Sequence, residues 1–559
     1  MNTRLGSTAC LLLAWALATG GAAGQEHAHG MGHQAQEHAH DAPQGVSLLE
    51  GMGTWHREID TDSRAAQAYF DQGLSLAFAF NHGEALRSFE EAVRRDPECG
   101  MCWWGVAYVL GPNINWPMED VEERARASAR RALEHSTEAT ERSLARAMRA
   151  RYGRPGDTRA ALDSAYAREM ETLAAAHPGD ADIQTIYAEA LLLLRPWDQW
   201  TAEGDPQPGT LDVMRTLEPV IESEPEHVGA CHYYIHTVEA SPEPQRALEC
   251  ADRLPDLMPG AGHIVHMPAH VYLRTGRYHD AAEQNIRAVA ADLRYLGGEE
   301  PERVYKALYR PHNYHFMWSA RLFAGESELG LEAARELNEV VTVAYAREMP
   351  FTEAFVPVVH QTLARFGRWE ELLAEPGPPE DLVYARGIWH FTRVLAHAGL
   401  GDLAAARAEA EALGRYAEDA SPDHIIILNS APHLLGLAAE LAAGVLAREA
   451  GDLQGGVERF RAAVVLQDEL TYDEPPPWYH SARIFLGEAL LSVGSDAEAE
   501  AVFRRDLVDF PANGWALAGL SEALTRQGKR AQAATASAAL ADAWRWADVP
   551  TPVARLTGK

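Results

Sequence analysis

Apolar residues recur along most of this chain at the spacing of one helix face, and the pattern repeats. In AQAYFDQGLSLAFAFNHGEALRSFEEAVRRDPEC, residues 66–99, Tyr69, Gly73, Ala85, Phe89, Ala92 and Pro97 occupy positions 4, 8, 20, 24, 27 and 32 of a 34-residue unit. Two stripes of helical period flank a polar turn, which predicts a helix–turn–helix unit. The small residues at 8, 20 and 27 let the two helices approach closely, and the proline at 32 ends the second.

The register returns. From Val228, Ala247 falls at 20 and Pro259 at 32; from Gly262, Gly276, Tyr278, Ala281 and Ala288 fall at 15, 17, 20 and 27. From His480, Gly487, Gly494, Ala499, Phe503 and Pro511 fall at 8, 15, 20, 24 and 32; from Gly514, Gly528 and Ala533 fall at 15 and 20. Less regular units begin near Gly100, Ala181, Pro311, Glu353, Gly387 and Leu437, while residues 119–178 are helical in pattern but off register. Extra segments interrupt the array near Trp197–Gly209 and Leu296–Arg310. The period and its small residues resemble the tetratricopeptide repeat. The resemblance implies an all-α, right-handed helical solenoid of roughly a dozen units over residues 51–550. Each unit would bury its apolar face against its neighbours, leaving a concave groove lined by the first helices. In that family the groove usually takes a peptide or protein partner.

Core positions 4, 7, 8 and 11 share one helix face; positions 2, 5, 9 and 12 share another, about 130° away, which looks into the groove. Three consecutive units place histidines there. CHYYIHTVE sets His232 at 5, His236 at 9 and Glu239 at 12; GHIVHMPAHVYLR sets His263 at 2, His266 at 5 and His270 at 9; PHNYHFMWS sets His312 at 2 and His315 at 5. Residues i and i+4 can share an ion, and stacked helices bring such pairs together. Imidazole with carboxylate suits copper, iron, zinc or manganese, so these eight residues, spanning 228–320, are the expected metal ligands. Earlier units offer Trp104, Tyr108, Thr185 and Glu189 at positions 5 or 9; Glu189 is a further candidate ligand. Arg274, Glu189, Tyr108 and Trp104 are candidate substrate contacts. Pro268, inside the helix that carries His266 and His270, predicts a kink. The segments PGAGHIVHMPAHVYLRTGRYHDA, CHYYIH and PHNYHF also resemble a group of exported bacterial tetratricopeptide proteins, which supports the architecture and supplies no reaction.

Charge and termini narrow the setting. The chain has 559 residues and a net charge of −32, from 49 basic and 81 acidic side chains, which excludes a nucleic-acid binder in practice. Its start has a basic residue (Arg4), a short apolar run from Ala9 to Ala18, and Ala22 and Gly24 before Gln25, the pattern of a signal peptide over 1–24. No later apolar run is long enough to span a bilayer. The expected product is exported, periplasmic or secreted. Residues 25–50 read as a flexible tail, and His27, His29, His33, His38, His40 and Met31 tilt the metal choice toward copper. Export permits disulfides, expected between Cys99 and Cys102 and between Cys231 and Cys250.

No GxSxG, HExxH, Walker or GxGxxG motif occurs, so serine-hydrolase, zincin, ATPase and Rossmann-dehydrogenase machinery is missing. The leading expectation is a metal-dependent enzyme, redox and hydrolytic chemistry being equally compatible. The alternatives are a groove that binds a peptide without catalysis and a periplasmic metal carrier. The extra segments near Trp197 and Leu296 are expected to supply a lid.

Overall fold

The computed structural model describes residues 46–115, 121–296 and 305–550. The expected signal peptide, nearly all of the histidine-rich tail and residues 297–304 of the second extra segment lie outside the described residues. The fold is a tetratricopeptide-type array of helix pairs. Among the described residues, extended structure is confined to a two-residue hairpin, Ile425–Ile426 with Asn429–Ser430, and one bridge between Trp200 and Pro206. No helix among them is long and apolar enough to cross a membrane. The chain divides into two compact units, Met1–Trp197 and Asp198–Lys559.

The repeat signature has a packing cause. Phe89, at position 24, is fully buried, and a Cβ on either Gly73 or Gly105 would come closer than 3.0 Å to its ring. Phe503 stands in the same relation to Gly487 and Gly519, and Phe460 to Gly444. Each aromatic thus fills a slot opened by a glycine of its own unit, and in two cases also by one of the next, which is how the units interlock. The helices are capped by what precedes them: Ser63 accepts from Ala66 N, Asp180 from Ile183 N and Asp452 from Gly455 N.

In the second unit, late repeats fold back on early ones. The guanidinium of Arg274 donates to the carbonyls of Glu239, Ser241 and Asp509. Gly276, at φ +78°, is so close to Pro511 that a Cβ would meet its carbonyl oxygen at 2.6 Å. Asp548 accepts from the first amides of the helix Ser327–Val340, at 2.7 and 2.9 Å. The array in this unit therefore closes on itself, and its inner face is covered.

Both expected cystine bridges are present, Cys99–Cys102 and Cys231–Cys250. The second ties the helix Val228–Val238 to its partner Leu248–Leu257. Pro268 splits the next helix into Gly262–His266 and Pro268–Arg274. It serves as the first residue of the second piece, where a missing N–H costs nothing. The amide of Met267 bridges the break by donating to His263 and Ile264 carbonyls.

Candidate metal centre

Four short helices position the cluster. Val228–Val238 carries His232 and His236, with Glu239 as its C-cap residue; Gly262–His266 carries His263 and His266; Pro268–Arg274 carries His270; Arg310–Ala324 carries His312 and His315. His232 and His266 are fully buried, and His236, His263, His270 and Glu239 nearly so. Three sets of ligand atoms lie mutually within 4.8 Å and could hold a metal ion: His232, His236 and His263; His266, His270 and His312; Glu239, His270 and Glu474.

The hydrogen bonds assign the imidazole nitrogens. Asn285 donates through its amide nitrogen to the Ala281 carbonyl, so its oxygen is the acceptor facing His266 Nδ1 at 2.7 Å. His266 therefore carries its proton on Nδ1 and its lone pair on Nε2. His236 Nδ1 faces Glu239 Oε1 at 3.1 Å, which sets the same tautomer. His270 Nδ1 lies 2.8 Å from both Glu239 and Glu474. This is the arrangement in which an outer carboxylate or amide aims a ligating imidazole.

The inner nitrogens then meet one another. His266 Nε2 is 2.9 Å from His270 Nε2, and His232 Nε2 is 3.1 Å from His263 Nε2. The Nε2 lone pair of His266 thus faces His270 Nε2 across a gap that a proton or a metal ion can bridge, and His232 and His263 offer a second such gap. A tetrahedral shell with metal–nitrogen bonds of about 2.05 Å has nitrogen–nitrogen edges of about 3.3 Å, close to both separations. A proton can take the same role at His270. Burial lowers its pKa, but Glu239 and Glu474 outweigh burial and raise it to about 10. Burial, aided by neighbouring imidazoles, holds His263, His266 and His312 well below the usual histidine range, in the neutral form that ligates metals. Phe316 packs on the rings of His266, His270 and His312, 4.5 to 4.8 Å between centroids, and keeps this side dry.

The other expected site residues lie elsewhere. His315 comes three residues after His312, about 60° round the helix, and stacks on Trp318 and meets Phe355 edge-on instead of joining the three sets. Arg274 meets Glu239 through its backbone carbonyl rather than its carboxylate. Trp104, Tyr108 and Glu189 belong to the first unit and gather there around Arg151. Trp104 stacks on Tyr108, Arg151 lies over the Tyr108 ring, and its guanidinium pairs with Glu189 at 3.2 Å. Burial pushes Glu189 up to about 7, against the pull of Arg151.

Two contributors were not anticipated. Glu474 comes from the segment 470–480, which runs between the helices Leu453–Asp468 and Ala482–Ser492 and covers the cluster. Asn285 stands at position 24 of the unit from Gly262, where Phe89 and Phe503 stand in theirs. A polar residue at a core aromatic position is the signal that marks it. Beside the centre lies a pocket lined by His315, Trp318, Tyr384, Asp473, Pro475 and Tyr479, among others. On the other side, the ring of Tyr309 packs on His263 at 4.7 Å, and Trp200 of the first extra segment donates to the Thr237 carbonyl at 2.7 Å.

No family model matches the chain, and no curated protein matches it. Among solved structures, human IFIT1 with m7Gppp-AAAA is 11% identical, over 88% of this chain and 92% of that one, at a TM-score of 0.31. Yeast Tom70 is 10% identical over 86% and 97%, at 0.29; Naa15/Naa10 bound to HypK-THB is 16% identical over 86% and 71%, at 0.24. Superpositions this loose carry nothing about the site.

Proposed function

We propose that this chain is an exported metal-dependent enzyme whose second unit holds a transition-metal centre. The ligands are drawn from His232, His236, His263, His266, His270 and His312, with Glu239 and Glu474. One observation carries this reading: imidazole nitrogens whose far sides face Glu239, Glu474 and Asn285 converge in a buried space, in three sets whose ligand atoms lie within 4.8 Å of one another. Burying so many imidazoles together costs free energy that packing alone does not return, and a shared metal ion would offset it. Six histidines and two carboxylates exceed one tetrahedral shell, which favours two adjacent metal positions. The two carboxylates balance the charge of a divalent ion. Copper, zinc, iron and manganese all suit the donors, and the tail at residues 25–50 makes copper the first choice.

The burial of the cluster supports an enzyme over a peptide scaffold, because the histidines lie under a covering segment rather than along an open groove. A bound metal would supply Lewis acidity or redox chemistry there. Two cystine bridges are in keeping with an oxidising compartment.

Elemental analysis of protein purified through an export pathway, with residues 25–50 deleted, is the direct test. One or two equivalents of copper, zinc, iron or manganese are expected, falling below half in His266→Ala and in His236→Ala. Metal-free protein that takes up no ion on reconstitution would overturn the reading and leave a binding scaffold.

A further inference from the structure

A second buried polar cluster lies in the same unit and is distinct from the histidine centre. Its middle is Arg365, in the helix Val358–Arg365, with 3% of its surface exposed. Its guanidinium carbon sits 3.7 Å from the centre of the Trp515 ring and 5.8 Å from that of Phe323. One face is thereby covered by an aromatic plane, and the N–H edge is left for recognition. Among the described residues no carboxylate pairs with it, and its Nε and Nη1 are buried without a hydrogen bond. A guanidinium so placed is costly, because its desolvation is not returned by any partner.

The orphaned groups around it are mostly donors. Tyr278 and Tyr479 each bury a hydroxyl with no partner, and His480 buries both ring nitrogens with none. All three lie close enough for their charges to act on Arg365 or to feel it. Tyr278 is pinned by stacking on Phe323, 4.9 Å between centroids; His480 is pinned between Tyr479 and Phe485. Asp506 is within electrostatic reach without forming an ion pair. One of its oxygens accepts from Asn513 at 2.7 Å, and the Ser481 hydroxyl lies within reach of the carboxylate. Glu488, the remaining acid in range, lies 3.7 Å from Arg448 instead.

We propose that Arg365, Tyr278, Tyr479 and His480 form a binding site for a small oxyanion, with Asp506 accepting from a proton on the ligand. The planar guanidinium edge matches a carboxylate or phosphate-type group, and the neutral donors complete its shell. The acceptors at Asp506 and on one nitrogen of neutral His480 favour an anion that carries a hydroxyl, as hydrogen phosphate does. The site lies near the seam, where residues 506–515 return to the repeats that carry Tyr278 and Arg365. Occupancy therefore ties the late repeats to the early ones.

The test uses the full chain and two probes, inorganic phosphate and sodium formate, with chloride as the ionic-strength control. Thermal midpoint and hydrogen exchange over residues 482–526 are followed as each probe is raised from about 0.1 to 100 mM. A ligand that binds only the folded state raises stability with the logarithm of its concentration. The midpoint is expected to climb with phosphate, and less with formate, while exchange at the seam slows. Arg365→Gln is expected to weaken the response at least tenfold. Tyr278→Phe, which keeps the buried charge and the packing, serves if the first variant does not fold. It is expected to weaken the response a few-fold. Identical responses to all three salts, or equal responses from wild type and variants, would overturn the site.

Discussion

At the scale of single residues, the cluster depends on groups that never touch an ion. Asn285 fixes which nitrogen of His266 carries the proton, and it does so from a core position of the neighbouring helix. Asn285→Leu fills the same space without an acceptor. It is expected to leave the fold intact and weaken metal affinity about 10- to 100-fold, the usual effect of losing such a support. Competition with a chromophoric chelator measures this directly, and unchanged affinity would show that His266 is not a ligand. A second residue-scale effect sits just behind His263. Asp292 is buried, and burial pushes its pKa from 3.8 to about 7 despite hydrogen bonds from Tyr305 and Asn313. The folded state thus holds this proton more tightly than the unfolded state. Its stabilising contribution is complete below pH 3.8 and is lost as pH rises through 7. The slope approaches about 1.4 kcal/mol per pH unit within that window. Asp292→Asn should remove this slope from the pH dependence of urea unfolding; a variant with wild-type slope would refute the assignment.

At the scale of helices and their pairs, the stability of the array is concentrated in the slots that hold Phe89, Phe460 and Phe503. Phe503 is wedged between Gly487 and Gly519 on two successive units. A methyl group at either glycine cannot be absorbed by turning the ring, because the other glycine's helix blocks it. Gly519→Ala is expected to destabilise by about 1–3 kcal/mol, and Phe503→Ala by about 3–5 kcal/mol. Chemical denaturation would read both, and a neutral Gly519→Ala would mean that the units are packed more loosely than their geometry shows. These slots were legible in the sequence because they recur with a fixed period, so one unit predicts the next. The same periodicity exposed His232, His236, His263, His266, His270 and His312, which repeat at groove positions of stacked helices. It failed for His315, whose side chain turns toward Trp318 once Arg310–Ala324 is set by its own packing. It also failed for Glu474, which belongs to a non-repeating segment and meets His270 only through the closure of the unit. Contacts between elements far apart in sequence leave no local pattern to read.

At the scale of the whole second unit, closure converts a groove into an interior. A repeat array held only by neighbour contacts would leave positions 2, 5 and 9 in water, where imidazoles titrate normally and bind metals weakly. Here Arg274 carries the closure, because its three donors reach carbonyls on both sides of the seam: Glu239 and Ser241 on one, Asp509 on the other. The cation also lies 5.7 Å from the ring of Tyr472, two residues before Glu474, so it steadies the covering segment as well. Hydrogen bonds from a charged donor are worth about 1.5–3 kcal/mol each, and three of them acting at one seam outweigh a surface ion pair. Arg274→Met keeps the aliphatic stem and removes all three. It is expected to speed hydrogen exchange over residues 470–526 while leaving helices before residue 228 unchanged. Metal dissociation should accelerate in parallel, because Glu239 loses its backbone anchor and Glu474 its cover. Faster exchange at the seam with unaltered metal release would separate closure from ion retention and assign the cover to substrate access alone.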